Sequence, residues 1–163
     1  MAEFTTSPDV LEAVVAVTEA KLKALNPKGQ ARAGAPKVED ANKSPRVSVY
    51  INGDKGVNHE GYSRRTLTFT VVVVVPDDKS DASLGNTQLL RLTRLYEPIH
   101  FDLLTQAKAK TGAFAQVPHV LVREAENGPG IQSDGFDDGD PVARVGCTFE
   151  ALFNRELPAA PAT

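Results

Sequence analysis

The pattern of apolar and polar residues predicts both strands and helices. The segment 46–52 (RVSVYIN) has an apolar residue at every second position, which is typical of a strand with one face on a core. The segment 62–75 begins with the same alternation and ends in five consecutive valines. The second face of this strand therefore also needs cover, because exposed runs of valine favour aggregation.

Apolar residues recur at helical intervals in two further segments, 8–25 and 83–108. Ser7, followed by proline and aspartate, is the expected N-cap of the first helix. Pro98 lies inside the second segment. Because proline removes a backbone hydrogen bond and clashes with the preceding turn, we expect a kink or a break near Glu97.

Further strands are expected after the second helix, over 117–123, 130–133 and 142–154. Strands that occur in groups, and do not alternate strictly with helices, favour an α+β fold. The sequence therefore predicts an antiparallel or mixed sheet of four to five strands, packed against two main helices.

The length of 163 residues predicts a single domain covering residues 1–163. The segment 26–45 is rich in Pro, Gly, Ala and Lys and has no hydrophobic period, so we expect a flexible loop there. The segment 157–163 is expected to be a disordered tail.

Composition narrows the classes of function. The chain has 18 Lys and Arg against 21 Asp and Glu, a formal charge of −3, which disfavours duplex DNA binding as the main function. Its one cysteine excludes an internal disulfide and favours folding in a reducing cytosol. No run of residues is apolar enough for a membrane span, and no export signal is visible at the N-terminus.

The residue types that most often carry chemistry form no recognisable motif. His59, His100 and His119 have no metal-like partner two or four positions away. We therefore interpret them as a loop, a helix-surface and a strand histidine, respectively, and favour these structural roles over that of a general base. The acidic segment 133–140 lacks the spacing of a calcium loop and is interpreted as a turn. Cys147, in the middle of an apolar strand face, is interpreted as a small buried hydrophobe. We therefore predict no catalytic, cofactor-binding or metal-binding residue.

The last strand and the valine-rich strand provide candidate residues for a subunit interface. An arginine pair opens the valine-rich strand, and two of its valines lie on the second face. The last strand has charged residues opposite its apolar face. The candidate interface residues are Arg64, Arg65, Val72, Val74, Arg144 and Glu150. The alternative is that the valines belong to a strand covered on both faces inside one subunit.

Five segments follow one another along the chain: an N-terminal helix, RVSVYIN, EGYSRRTLTFTVVVVV, a helix-rich segment and DDGDPVARVGCTFEALFNRE. This layout resembles that of the tail terminator, or tail completion, proteins of long-tailed bacteriophages. In that family an arginine-rich strand start leads into an apolar strand, and a short acidic turn precedes a polar-ended final strand. The resemblance covers residues 7–156.

The resemblance implies a structural virion protein without enzymatic activity or cofactor. Such proteins form a ring, commonly a homohexamer, on the head-proximal end of the tail tube, where they stop tail elongation and provide the joint to the head or neck. The implied partners are other copies of the chain, the tail tube protein and a head–tail connector or neck protein, with DNA only in transit and no membrane. The implied location is the virion, after synthesis in the cytoplasm of the host bacterium.

Two other classes of function stay open on the sequence. One is another head–tail connector or tail tube component of the same particle. The other is a small cytosolic ligand-binding dimer, with a pocket between sheet and helices lined by His119 or Arg123.

Overall fold

Two long helices, six strands and a short 3-10 helix are present in the computed structural model, which describes residues 4–34, 45–76, 85–128, 130–134 and 142–158. The helices are α1 (Ser7–Leu25) and α2 (Gly85–Ala109), and the 3-10 helix is Gly112–Gln116. The strands are β1 (Gln30–Ala33), β2 (Arg46–Asn58), β3 (Tyr62–Pro76), β4 (Leu121–Glu124), β5 (Gln132–Asp134) and β6 (Val142–Glu156).

The strands form one mixed sheet in the order β1-β2-β3-β6-β4, with β5 also paired to β6. β1 runs parallel to β2, and the other pairs are antiparallel. The predicted α+β class, with a mixed sheet against two helices, is confirmed. The loop expected over 26–45 is wrong in part, because Gln30–Ala33 forms β1 by pairing with the start of β2. Residues 35–44 of that segment lie outside the described residues.

Helix α1 begins one residue earlier than its sequence predicted. Thr6, and not Ser7, is the N-cap, and its hydroxyl forms a capping box with Asp9. The Asp9 carboxylate in turn accepts a hydrogen bond from the Thr6 backbone at 3.3 Å. This reciprocal pair satisfies two N–H groups that would otherwise lack partners, which is why it prevails over a cap at Ser7.

Helix α2 continues through Pro98, so of the kink or break expected near Glu97 the break is wrong, and the kink stays a prediction. Leu92 and Tyr96 before the proline, and Ile99 and Leu103 after it, are all buried in the same core. Their packing on both sides of Pro98 outweighs the single backbone hydrogen bond that proline removes. The predicted start at residue 83 lies outside the described residues.

The segment 117–123 is only partly a strand, because β4 starts at Leu121. Val117 and Val120 are buried in the core, but they belong to a turn closed by a hydrogen bond from Val120 N to Val117 O at 3.2 Å. Their burial explains the strand-like pattern in the sequence. The strand predicted over 130–133 is Gln132–Asp134, and residues 135–140 of the acidic segment lie outside the described residues.

The core lies between the two helices and one face of the sheet. Residues at odd positions of β3 and β6 point into it, including Phe69 and Phe149, whose rings stack with centroids 5.6 Å apart. Val10, Val14 and Leu22 of α1 are fully buried against this face. We call this side of the sheet the covered face.

Candidate functional site

The opposite side of the sheet has no helix of the described residues packed on it, and we call it the open face. It consists of the even positions of β3 and β6 and the residues paired with them in β2 and β4. A polar band crosses its centre, where Asn52 donates to the Thr70 hydroxyl at 2.7 Å and Thr70 lies 3.1 Å from the Thr148 hydroxyl. These hydroxyls bond to each other across strands and remain only partly buried.

Register places five of the candidate interface residues on the open face: Arg64, Val72, Val74, Arg144 and Glu150. Glu150 accepts a hydrogen bond at 3.1 Å from Arg123, its cross-strand partner in β4. Arg64 is exposed beside Asn154, and Arg144 is partly buried. Register thus brings these five residues together on one surface, and their role in an interface stays a prediction.

Arg65 lies on the covered side, where it binds within its own chain. Its guanidinium forms an ion pair with Asp54 at 2.6 Å, and Ser7 at the start of α1 donates to the same carboxylate at 2.8 Å. The side chain crosses Gly56, where an added Cβ would lie 2.2 Å from the guanidinium. Arg65 therefore ties the β2–β3 hairpin to the N-terminus of α1.

Val72 and Val74 are buried within the single chain, at 7% and 2% exposure, and form a small cluster with Tyr50. The sequence left two explanations for the lost alternation, and the structure favours cover inside one subunit. These valines have little surface left to offer a neighbour. Next to them a cavity of about 140 Å³ is lined by residues that include Tyr50, Thr70, Gln132 and Arg144.

The two edges of the sheet are the most exposed apolar parts of this layer. β1 pairs only with Arg46–Val49, so among the described residues the outer edge of β2 has no strand partner from Tyr50 to Asn58. On this stretch Ile51 is 45% and Val57 is 64% exposed. At the opposite edge, Leu121 of β4 is 64% exposed. Unpaired edges with apolar side chains are templates for pairing with another chain.

A buried polar cluster lies on the covered side, between α2, β4 and β6. His100 is fully buried, which corrects the prediction that it lies on the helix surface. Its Nε2 lies 2.6 Å from a carboxylate oxygen of Glu124, and its Nδ1 lies 3.1 Å from the Tyr96 hydroxyl. Since a carboxylate only accepts, Nε2 donates to Glu124, and the direction of the bond between the Tyr96 hydroxyl and Nδ1 is set by the tautomer of the ring.

Cys147 completes this cluster, and it is buried as the sequence predicted. Burial raises the pKa of its thiol to about 11, and the Glu124 carboxylate adds to the rise. Burial also raises the pKa of Tyr96 above its ordinary value. The thiol is therefore protonated at neutral pH, and both ring nitrogens of His100 are already bonded to other groups. This is not the geometry of a cysteine nucleophile activated by a histidine base.

Sequence reasoning missed this cluster because its members lie far apart along the chain. Glu124 and Cys147 are distant from His100 in the sequence, and the pairing of β4 with β6 brings them together beside it. One signal was available. His100 follows Tyr96 by four positions, so it belongs to the apolar stripe of α2. His59 and His119 are exposed, at a turn between strands and in the turn before β4.

No described helix is long and apolar enough to cross a membrane. Comparison of the chain with protein-family models gave no match, and comparison with curated proteins gave no significant match either.

Proposed function

We propose that this chain is a ring-forming structural subunit that acts as a tail terminator of a long-tailed bacteriophage. In this proposal, copies of the chain form a ring, most simply a hexamer, on the head-proximal end of the tail tube. The ring stops tail elongation and provides the surface that joins the head or neck. The layout that resembles tail terminators supports the assignment to this class of protein.

The observation that carries the proposal is the pair of exposed sheet edges. A closed ring needs head-to-tail contacts, so each subunit must offer two different surfaces that fit each other. The outer edge of β2 with Ile51 and Val57 is one such surface, and the outer edge of β4 with Leu121 is the other. Backbone pairing of one edge with the other would extend the sheet from subunit to subunit.

The open face has a secondary place in this proposal. Its centre is polar, and its charged pair Arg123–Glu150 is joined at 3.1 Å, so it is suited to a wet contact with a different protein. We assign it to the tail tube protein or the neck protein, and we assign the edges to contacts between copies.

Sedimentation velocity over a wide concentration range tests the ring. The wild-type protein should form one large species, and Val57→Lys or Leu121→Lys should reduce it to monomer, because each places a charge in an apolar edge contact. Leu90→Lys is the matched control, since Leu90 is 57% exposed but lies on α2. A wild-type protein that stays monomeric throughout, or variants that sediment like wild type, would overturn the edge contacts.

A mixture of the two edge variants sharpens this test. Each variant keeps one intact edge, so equal amounts of Val57→Lys and Leu121→Lys should form a dimer and nothing larger. A symmetric interface, in which the same surface meets itself, would give no such rescue.

Electron microscopy of particles assembled without this protein tests the terminator role itself. We expect tails that are overlong and lack heads. Tails of normal length would contradict the proposal, and many copies of the chain along each tail would identify a tube subunit instead.

A further inference from the structure

The cluster around His100 has no part in the proposed ring contacts. Three side chains with metal-binding atoms converge there from separate elements: His100 from α2, Glu124 from β4 and Cys147 from β6. Their nitrogen, oxygen and sulfur atoms all lie within 4.8 Å of one another. We propose that these residues bind a divalent transition-metal ion of the zinc class.

The donor set matches this class of ion. Imidazole, thiolate and carboxylate are the ligands of zinc in proteins, and hard ions such as Mg²⁺ and Ca²⁺ prefer oxygen alone. Metal–ligand distances of about 2.0–2.3 Å place the donor atoms of a tetrahedral site a little farther apart than a hydrogen bond does. His100 and Glu124, now joined at 2.6 Å, would therefore separate slightly as the metal takes the place of the Nε2 proton. In the bound state the histidine proton would be on Nδ1, and the Cys147 thiol would release its proton to solvent.

The residues around the cluster would hold the histidine ligand of a metal ion in place. Tyr96 contacts the other ring nitrogen of His100 at 3.1 Å, and in the metal-bound state Nδ1–H would donate to the tyrosine oxygen. A partner of this kind fixes the tautomer and orientation of a ligating histidine. The rings of Phe101 and Phe149 lie with their centroids 5.3 and 5.0 Å from that of His100, which limits water around it.

The backbone holds the ligands in register while leaving one of them accessible. Glu124 pairs with Phe149 across β4 and β6, and Ala125 N donates to Thr148 O at 3.0 Å. These contacts place Glu124 next to Cys147 on the covered face. The Glu124 side chain is 48% exposed, so it provides both the access path from solvent and the freedom to adjust. A solvent molecule can supply the fourth ligand at this side.

Titration of the full chain with Co²⁺, a spectroscopic substitute for Zn²⁺, tests the proposal. We expect one equivalent to bind, with ligand-field bands of tetrahedral cobalt and a thiolate-to-cobalt charge-transfer band. Cys147→Ser should abolish the charge-transfer band. Glu124→Gln keeps the shape of the side chain and should weaken binding by more than the roughly 10- to 100-fold typical of losing an outer partner. Tyr96→Phe should weaken it by about that 10- to 100-fold amount.

Matched control variants and folding checks distinguish loss of the metal site from misfolding of the protein. His119→Gln and Glu126→Gln alter an exposed histidine and an exposed carboxylate nearby, and should bind Co²⁺ like wild type. Each variant is checked for folding by circular dichroism, and Glu124→Gln is the safest because its side chain is half exposed. Binding without a sulfur band, equal affinity in Glu124→Gln and wild type, or no binding by folded wild-type protein would overturn the site.

Discussion

The two faces of the sheet show how one strand can serve two different environments. On the covered face, Phe69 and Val71 of β3 are fully buried under the helices. On the open face the same strand carries threonines at its centre and the buried pair Val72 and Val74 near its end. Alternation along β3 therefore separates an apolar core from a polar surface until the last part of the strand, where both faces become apolar.

The difference between the faces lies in what stabilises each of them. The covered face depends on apolar area and close packing, which are worth about 25 cal/mol per Å² removed from water. The centre of the open face depends on hydrogen bonds between exposed or partly buried groups, each with a small net contribution. Substitutions on neighbouring residues of one strand should therefore differ strongly in their effects.

The largest effect is expected from Phe149→Ala on the covered face. Removing this ring leaves a cavity beside Phe69 and should lower the free energy of unfolding by about 3–5 kcal/mol. Thr148→Ala, one residue earlier on the open face, should cost no more than about 1 kcal/mol. Urea denaturation of the two variants measures the difference, and similar losses would show that the open face is also part of the core.

Val72→Asp should cost about 3 kcal/mol or more, because it places a carboxylate in a buried apolar cluster. The loss should appear as reduced stability of the monomer in denaturation at low protein concentration. If the variant instead folds with wild-type stability and fails only to associate, Val72 belongs to a subunit interface after all.

Gly146→Ala should lower stability by about 1–3 kcal/mol through overpacking. A Cβ at this position would lie 2.6 Å from the Val71 carbonyl oxygen and 3.0 Å from the Val72 Cβ. Gly53→Ala in β2 is the matched control, because a Cβ there meets nothing within 4 Å. Thermal unfolding that ranks the two substitutions in the reverse order would contradict this packing.

The smallest expected effect is the pH dependence of stability that Cys147 causes, which is absent at neutral pH. Burial raises the pKa of the thiol in the folded protein from 9.0 to about 11, so its contribution to stability is complete below pH 9 and is lost as pH rises toward 11. The difference in unfolding free energy between wild type and Cys147→Ala should therefore be constant below pH 9. Above pH 9 the wild-type protein should lose stability relative to the variant. Denaturant unfolding across this range measures it, and a constant difference would mean that the thiol is not shielded.

The long elements were predictable because their patterns are long and local. The two helices, β2, β3 and β6 each carry a clear period, and together they define the α+β fold. β1 has only four residues and gains its structure from β2, so its own sequence did not indicate a strand. The helix does not break at Pro98 for a related reason, since the packing of Ile99 and Leu103 prevails over the local effect of proline.

The candidate site residues also divide into those that follow from a local sequence pattern and those that depend on contacts made only in the folded chain. The open-face residues could be grouped from alternation alone, because register follows from the hydrophobic pattern. The partner of Arg65 could not be predicted, since Asp54 meets it only across the hairpin. The His100 cluster needs three elements placed in space, which no spacing along the chain reveals.

The pairing of β3 with β6 also has a consequence for how the chain folds. These strands pair along their whole length at the centre of the sheet, and Thr70 and Thr148, which meet across them, are 78 residues apart. Contacts so distant in sequence close slowly, because a long loop must be ordered first. The sheet therefore cannot be completed until residues 142–156 have left the ribosome, and until then the valines of β3 are the segment most in need of protection from aggregation.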